Sequence, residues 1–435
     1  MVREILPLLS LLVGMVFLML GGGLHNVIIP VRGQIEGFSP AGIGWIGTAF
    51  AVGFTLGCII IPQLVRRAGH VRTFSTLTAL LSVSVLLNGL YVETWWWVLL
   101  RALSGFCFAG CYMVAESWLN ERVSNEFRGS MFSIYAITTF IAMGAGQYLL
   151  VLADAKETTL FMIGAILYAL AVVPTAISKA ASPAPLTKVN LDLFALFRNS
   201  PAAAVGAFLA GIISSTWNVF GAVFGQQVEM SPAGIATLLA VAMLGSILFQ
   251  YPIGKLSDLI DRRYVMAGAG VVGIVFGAVL AWLTNLNTFG TLFYVCVVGY
   301  GGVIYSIYSL AIAHGNDHAD PSEFVKVSSG LLILYGFGTM AGPLIAAQMM
   351  NIFGPAGVFN TTTLTHAAFA SYALYRTFKN ERVVEDERVD FQTLNTMRAT
   401  PESYNLDPRS QADAYVLTEE GELPAMPPPV KVDLD

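Results

Sequence analysis

Residues 264–316 run for fifty-three positions without one Asp, Glu, Lys or Arg, and residues 327–375 do the same over forty-nine. In a bilayer no water reaches the peptide groups, so only helices and closed barrels satisfy every backbone N–H and C=O. A helix crosses with about 20 apolar residues, so each run is too long for one crossing and suits two. Turn-forming clusters divide them at Thr284-Asn285-Leu286-Asn287-Thr288 and at Asn351-Ile352-Phe353-Gly354-Pro355-Ala356-Gly357. The whole chain carries 12% charged residues, about half the roughly 25% of soluble domains. That excludes a water-soluble enzyme or binding module.

The same count applied along the chain predicts spans at about 5–30, 40–65, 73–92, 95–119, 128–152 and 158–178. After a polar, proline-bearing linker, further spans follow at about 201–228 and 232–256, then the two divided runs. The expectation is an all-α polytopic membrane protein of twelve transmembrane helices in two six-helix bundles. Its parts are an N-terminal bundle (1–178), a cytoplasmic linker (179–198), a C-terminal bundle (199–378) and an acidic tail (379–435). The first apolar run exceeds a signal-peptide core and lacks a small-residue cleavage site, so it is expected to stay as the first helix.

The two bundles share a segment. Ser39-Pro40-Ala41-Gly42-Ile43 recurs as Ser231-Pro232-Ala233-Gly234-Ile235, 192 positions on, and each copy leads through an apolar helix and a proline into a basic loop. A second relation, with a shift of 196, overlays Ala145-Gly146 on Ala341-Gly342, Gly105 on Gly301 and Asn120 on Asn316. Two related six-helix halves place a site near the midplane between them.

Basic residues orient the bundle, since short inner loops carry an excess of Lys and Arg. With the N-terminus inside, fourteen fall on the inner side and only Arg32 and Lys156 on the outer, so both termini are expected to be cytoplasmic. The net charge of -5 comes from the tail, where residues 379–435 hold six basic and thirteen acidic side chains. Acidic, proline-bearing and short of large apolar residues, that tail is expected to be disordered. The four cysteines lie inside apolar runs and read as packing residues, not as metal ligands or disulfide halves.

Over residues 5–378 the pattern resembles the major facilitator superfamily. That family's loop motif has the form Gly-x-Leu-x-Asp followed by basic residues, matched here by Gly254, Leu256, Asp258, Arg262 and Arg263. The first copy is degraded, with Pro62 in the Gly place and Arg66 where the Asp belongs. The resemblance implies a conformational latch in which Asp258, with Lys255, Arg262 and Arg263, meets the start of the fifth helix near Arg128. Arg101-x-x-x-Gly105 is similar to the helix 4 arginine motif of proton-coupled members. The Gly-x-x-x-Gly-Pro pattern of drug/proton antiporters stands at Gly338-Gly342-Pro343, in the opposite half from its usual place.

A charge well inside the bilayer costs about 2.5–3.5 kcal/mol on insertion scales, so Arg101 is expected to face the bundle interior as an anchor for an anionic group or a partner of a carboxylate; snorkelling to headgroups is the other reading. Glu116 is the one acidic residue well within an apolar run. It serves either as an inner gate paired with Arg122 or Arg128, or as a proton carrier whose surroundings change between conformations. Fifteen residues, about 22 Å of helix, separate it from Arg101. His25 is a packing residue or a second proton carrier. Trp217 and Asn218 lead the expected substrate contacts, with Gln147 and Tyr305 behind them; interhelical hydrogen bonding is the plain alternative for each. Gly268-Ala-Gly270-Val-Val-Gly273 lies in a membrane helix with no preceding strand and is not a dinucleotide loop. His314 and His318 have helical metal spacing but sit at a helix end, and no metal is assigned.

These residues point to a secondary active transporter of the bacterial cytoplasmic (inner) membrane that moves a small organic solute by alternating access. The expected partners are that small-molecule solute and membrane lipid, with protons a candidate coupling ion that the sequence does not itself identify; no nucleic acid and no cofactor are expected. One chain encloses a whole pathway, so a monomer is expected, and the tail is a candidate site for a cytosolic partner. Two other readings stay open: a transport-silent sensor or scaffold with a partner-recruiting tail, and a lipid or lysolipid flippase.

Overall fold

The computed structural model describes residues 9–122, 128–177, 196–197, 200–317, 324–379 and 399–405, leaving the side chains of residues 121, 122, 128–130, 132 and 405 undescribed. The N-terminal half comprises α1 (Leu9–Ile35), α2 (Pro40–Ala68), α3 (His70–Leu90), α4 (Thr94–Arg122), α5 (Arg128–Tyr148) and α6 (Thr159–Ile177). The C-terminal half comprises α7 (Pro201–Gln227), α8 (Pro232–Leu259), α9 (Arg262–Asn285), α10 (Thr291–Ile304), α11 (Ser306–Asn316), α12 (Phe324–Phe353) and α13 (Gly357–Lys379). A five-residue helix, α14 (Pro401–Asn405), follows.

By length and apolarity eleven runs among the described residues can cross a membrane, the last being Phe324–Lys379. That run is two helices, because Gly354 at φ +61 and the 3-10 turn Gly354–Ala356 reverse the chain between α12 and α13. The described residues therefore make twelve crossings in two bundles of six. Short connections alternate their direction, so the start of α1 and the end of α13 lie on one face, the terminal face; the opposite one is the distal face.

The repeat seen in the sequence is a repeat of contacts. Ser39 Oγ caps the N–H of Gly42 at 3.1 Å, and Ser231 Oγ caps that of Gly234 at 3.1 Å. A Cβ on Gly105 of α4 would lie 2.1 Å from the carbonyl oxygen of Phe50 in α2; one on Gly301 of α10 would lie 2.0 Å from that of Ala242 in α8. Gly53 meets Ala102 O and Gly245 meets Val298 O in the same way, at 1.8 and 1.9 Å. Without a hydrophobic drive between helices in lipid, such backbone-to-backbone approach at small residues is what packs them. Large apolar side chains such as Ile141, Ile166 and Ile247 remain on the outer surface, where acyl chains would cover them.

Three departures from the expected spans bear on function. First, α1 continues through Pro30 to Ile35, and Arg32 beyond it pairs with Glu36 at 2.8 Å and donates to Ala155 O at 3.0 Å. Second, the expected tenth span is interrupted at Tyr305, just after Gly301 and Gly302 bring the backbone against α8. Third, residues 399–405 of the tail expected to be disordered form α14 and its N-terminal approach, packed against α4 and α12. Thr400-Pro401-Glu402-Ser403 has the makings of a helix start: proline at N1, an acid in the first turn, and Ser403 Oγ accepting from the Thr400 N–H at 2.9 Å. The rest of the tail and most of the linker lie outside the described residues.

Candidate functional site in the cavity between the halves

The two halves enclose a cavity of about 400 Å³, within the range that holds a small organic ligand. Along α2 its wall extends from Gly47 to Arg66, about 28 Å at 1.5 Å per residue. On the distal face the halves are closed over it. Gln227 Nε2 of α7 donates to Gln34 Oε1 of α1 at 3.4 Å, and the hydroxyls of Tyr148 and Thr237 meet at 3.1 Å between α5 and α8. Thr48 Oγ1 of α2 donates to Met340 O of α12 at 2.7 Å, and a Cβ on Gly44 would stand 2.8 Å from Pro343 O. Toward the terminal face the wall is formed by Pro62, Gln63 and Arg66 of α2 and by Ala399, Pro401 and Glu402 of the tail.

Arg101 lies in this wall, 7% exposed, instead of reaching the headgroups. Its Nη2 donates to Asn26 Oδ1 at 3.1 Å, and the guanidinium carbon lies 4.4 Å from the centre of the Phe50 ring. Amide oxygen and ring face both stabilise a cation without cancelling its charge. Gln147 of α5 donates through Nε2 to Met243 Sδ of α8 at 3.8 Å, across the two halves, while its buried Oε1 has no hydrogen-bond partner among the described residues. Tyr305, at the break between α10 and α11, donates from its hydroxyl to Asn218 Oδ1 at 2.8 Å. Trp217 is 1% exposed, its ring fixed edge-on to Tyr300 at 5.4 Å, and is among the residues of the cavity wall. All five residues expected to contact substrate thus share one wall.

Sequence reasoning gave no role to Asn26, Phe50 or Ser329, all in the wall. Ser329 Oγ is buried with no hydrogen-bond partner among the described residues. A signal for part of the wall exists in the prolines. A proline cannot donate to the carbonyl four residues back, and Pro30, Pro62 and Pro343 sit inside α1, α2 and α12. The carbonyls that lose their usual helical donor belong to Asn26, Cys58 and Thr339, each a cavity residue, whereas Pro174 and Pro252 point to Leu170 and Leu248 on the outer surface, so the signal is partial.

The remaining candidates lie elsewhere. His25 is fully buried between α1 and α6, hydrogen-bonded through Nδ1 to the Tyr168 hydroxyl at 3.1 Å, and is not in the cavity wall. Glu116 is 3% exposed on α4 and accepts a short hydrogen bond from Thr400 Oγ1, with Ser403 also hydrogen-bonded to it. The side chains of Arg122 and Arg128, its expected gate partners, lie outside the described residues.

At the loop motif, Arg262 pairs with Asp258 at 3.0 Å and with Asp317 at the end of α11 at 2.7 Å, and donates to Ser257 Oγ at 3.0 Å. Arg263 pairs with Asp261 at 2.7 Å and donates to Arg376 O at 3.2 Å. These contacts join the α8–α9 connection to the ends of α11 and α13, all within one half; Lys255 is exposed. Burial works against the Asp261 carboxylate, but hydrogen bonds and charge from Arg263, with His314 nearby, hold it below the usual aspartate range.

Two six-helix halves around a largely apolar cavity that carries a few polar groups and is closed at one end have the architecture of a membrane transporter. The family model described as Major Facilitator Superfamily matches residues 11–314 and 202–401, and the chain belongs to that family. An uncharacterized MFS-type transporter of Enterobacter sp. (strain 638) is 23% identical over 349 residues, covering 79% of this chain and 89% of that protein. The fold is also that of a mutant form of the nucleoside transporter NupG, with a TM-score of 0.74, 14% identity, and 85% and 99% of the two chains covered. A bacterial homolog of the human lysosomal transporter Spinster, in an inward-facing and unoccupied conformation, superposes with a TM-score of 0.70 and 18% identity over 89% and 98% of the two chains. The chain is an integral membrane protein of a family of transporters, not enzymes, whose members bind small-molecule solutes.

Proposed function

We propose that this protein is a secondary active transporter that moves a small organic solute across the bacterial cytoplasmic membrane by alternating access, with the cavity as its binding site. The observation that carries the reading is the cavity's asymmetry: helix contacts seal it distally, whereas toward the terminal face its wall is completed by a segment from outside the bundles. The excess of Lys and Arg in terminal-face loops supports a cytoplasmic placement of that face. Both termini are then cytoplasmic and the structure is an inward-facing state. One chain encloses the whole cavity, which supports a monomer as the working unit.

Within the cavity, Arg101 with Asn26 receives an anionic or strongly accepting group of the solute. Gln147, Ser329 and the Tyr305–Asn218 pair supply hydrogen bonds, and Phe50 and Trp217 supply aromatic surface. Asp258 exchanges Arg262 for the start of α5 when the terminal face closes, which gives the loop motif its latch function. Glu116 is the candidate proton carrier, because its described hydrogen-bond partners belong to a tail segment that must shift when the mouth changes shape.

The test begins with a thermal-shift screen of purified protein against metabolites, since a ligand of the folded state raises its apparent stability. Hits are then followed as flux into proteoliposomes with and without an imposed pH gradient. Solute accumulation driven by the gradient and abolished by Glu116→Gln is the expected result. Flux indifferent to the gradient removes Glu116 from proton coupling, and the absence of flux for every hit removes the carrier reading.

A further inference from the structure

The segment 399–405 begins twenty residues past the end of α13 and belongs to neither bundle, yet it is as buried as the core. Thr400 and Tyr404 are 0% exposed, Ser403 4%, Ala399 5% and Glu402 6%. It touches both halves: Thr400 Oγ1 donates to Glu116 on α4, the Tyr404 and Tyr308 hydroxyls meet at 2.5 Å on α11, and α14 packs against α12. Ala399, Pro401 and Glu402 form part of the cavity wall itself.

We infer that this segment is a tethered plug, an intramolecular ligand of the terminal mouth that occupies the solute's path and holds the carrier in the conformation seen here. The inference rests on reading the cavity as the transport pathway. A ligand that binds one conformation better than the other shifts the population toward it, and only a conformation with α4 parted from α11 and α12 leaves room for this segment. Its anchoring favours release. The named contacts are hydroxyl to carboxylate and hydroxyl to hydroxyl, groups whose partners water can replace. Because the segment is covalently attached, its local concentration is of millimolar order, so weak intrinsic affinity suffices to keep it seated. The chain from Lys379 to Ala399, at most about 70 Å when extended, reaches the mouth.

The plug also changes the charge of the path. Among the described residues of the cavity wall the charged side chains are Arg66, Arg101 and Glu402. Withdrawal of the plug removes Glu402 and uncovers Glu116 on α4, leaving Arg66 and Arg101 beside one carboxylate instead of two.

The test uses Cys58, which lines the cavity and is half-buried, whereas Cys107, Cys111 and Cys296 are buried. In full-length protein the rate of Cys58 modification by 2-sulfonatoethyl methanethiosulfonate is followed by mass spectrometry. Thr400→Asp combined with Tyr404→Asp, which puts charge into the two anchor points, is expected to raise that rate at least tenfold. A synthetic peptide of residues 396–408 at millimolar concentration is expected to slow it again, and a scrambled peptide to leave it unchanged. A second version avoids any folding defect: a protease site placed after residue 390 is cleaved once the protein has folded, and cleavage must give the same acceleration. Equal rates with the anchors intact, substituted or cleaved would overturn the plug. Labelling needs no solute, so accelerated labelling with no flux for any hit leaves the plug standing and removes the transport reading alone.

Discussion

Arg101 keeps its charge inside the bundle because an amide oxygen and a ring face replace the water it has lost. Lysine carries the same charge but no planar fork to share between Asn26 and Phe50. Arg101→Ala is therefore expected to lower solute affinity at least tenfold, about 1.4 kcal/mol, and Arg101→Lys to restore only part, both read from ligand-dependent thermal shifts. Asp261 yields a pH prediction. Its folded carboxyl is held below the ordinary value, so its contribution to stability is present above the unfolded value of about 3.9 and is lost as pH falls through the lower folded value. Unfolding temperatures taken from pH 6 to pH 3 should fall less steeply for Asp261→Asn than for the parent; parallel curves would contradict it. At this scale the cavity was largely legible. Arg101, Gln147, Asn218 and Tyr305 are polar or half-polar side chains in apolar spans, where each must have a partner or a task. What a single sequence does not resolve is the face. His25 and Asn26 are neighbours about 100° apart around α1, and the histidine turns into packing while the asparagine meets the cavity.

Pairs of helices explain why the internal repeat survived. The carbonyl that blocks a side chain at Gly105 is that of Phe50, and the one at Gly301 is that of Ala242, 192 positions after Phe50. Gly105→Ala and Gly301→Ala force rigid backbones apart, and each is expected to cost about 2 kcal/mol by overpacking. Gly268→Ala, with nothing within 4 Å of the new Cβ, should be neutral or stabilise by up to about 1 kcal/mol through helix propensity. Thermal unfolding of the three variants in one detergent separates the cases, and equal losses at all three positions would contradict this packing. Arg262 offers a second element-scale test. It and Asp317 are 1% and 3% exposed at the side chain, and breaking a buried pair on one side costs about 3–5 kcal/mol. Arg262→Gln and Asp317→Asn should each fall in that range, and the double variant should lose less than the two together. The helices themselves were readable from uncharged run length, and the division of the last run from Gly354-Pro355. The break at Tyr305 was not, because it follows from how closely α8 approaches Gly301 and Gly302, a tertiary fact. Nor was α14: four residues of helix-start chemistry are too little to stand out in an acidic, proline-bearing tail, and their burial depends on a cleft made by α4, α11 and α12.

For the whole molecule, the two halves meet distally through Gln34–Gln227, Tyr148–Thr237 and Thr48–Met340 and hold the tail segment between them at the other end. Among the described residues the distal seal combines a few polar contacts with the close approach of Gly44 to Pro343, whereas the close pairs Gly53–Ala102, Gly105–Phe50, Gly245–Val298 and Gly301–Ala242 lie within each half and keep it rigid. Alternating access then predicts motion of two firm bodies in which one face opens as the other closes. Electron–electron distance measurements on spin labels test this most directly. One pair is placed at the exposed positions Glu36 and Glu229 on the distal face, the other at Arg67 and Lys255 on the terminal face. Adding a transported solute should lengthen the distal distance and shorten the terminal one in the same fraction of molecules. Distances that stay fixed on both faces, or lengthen together, would contradict alternating access.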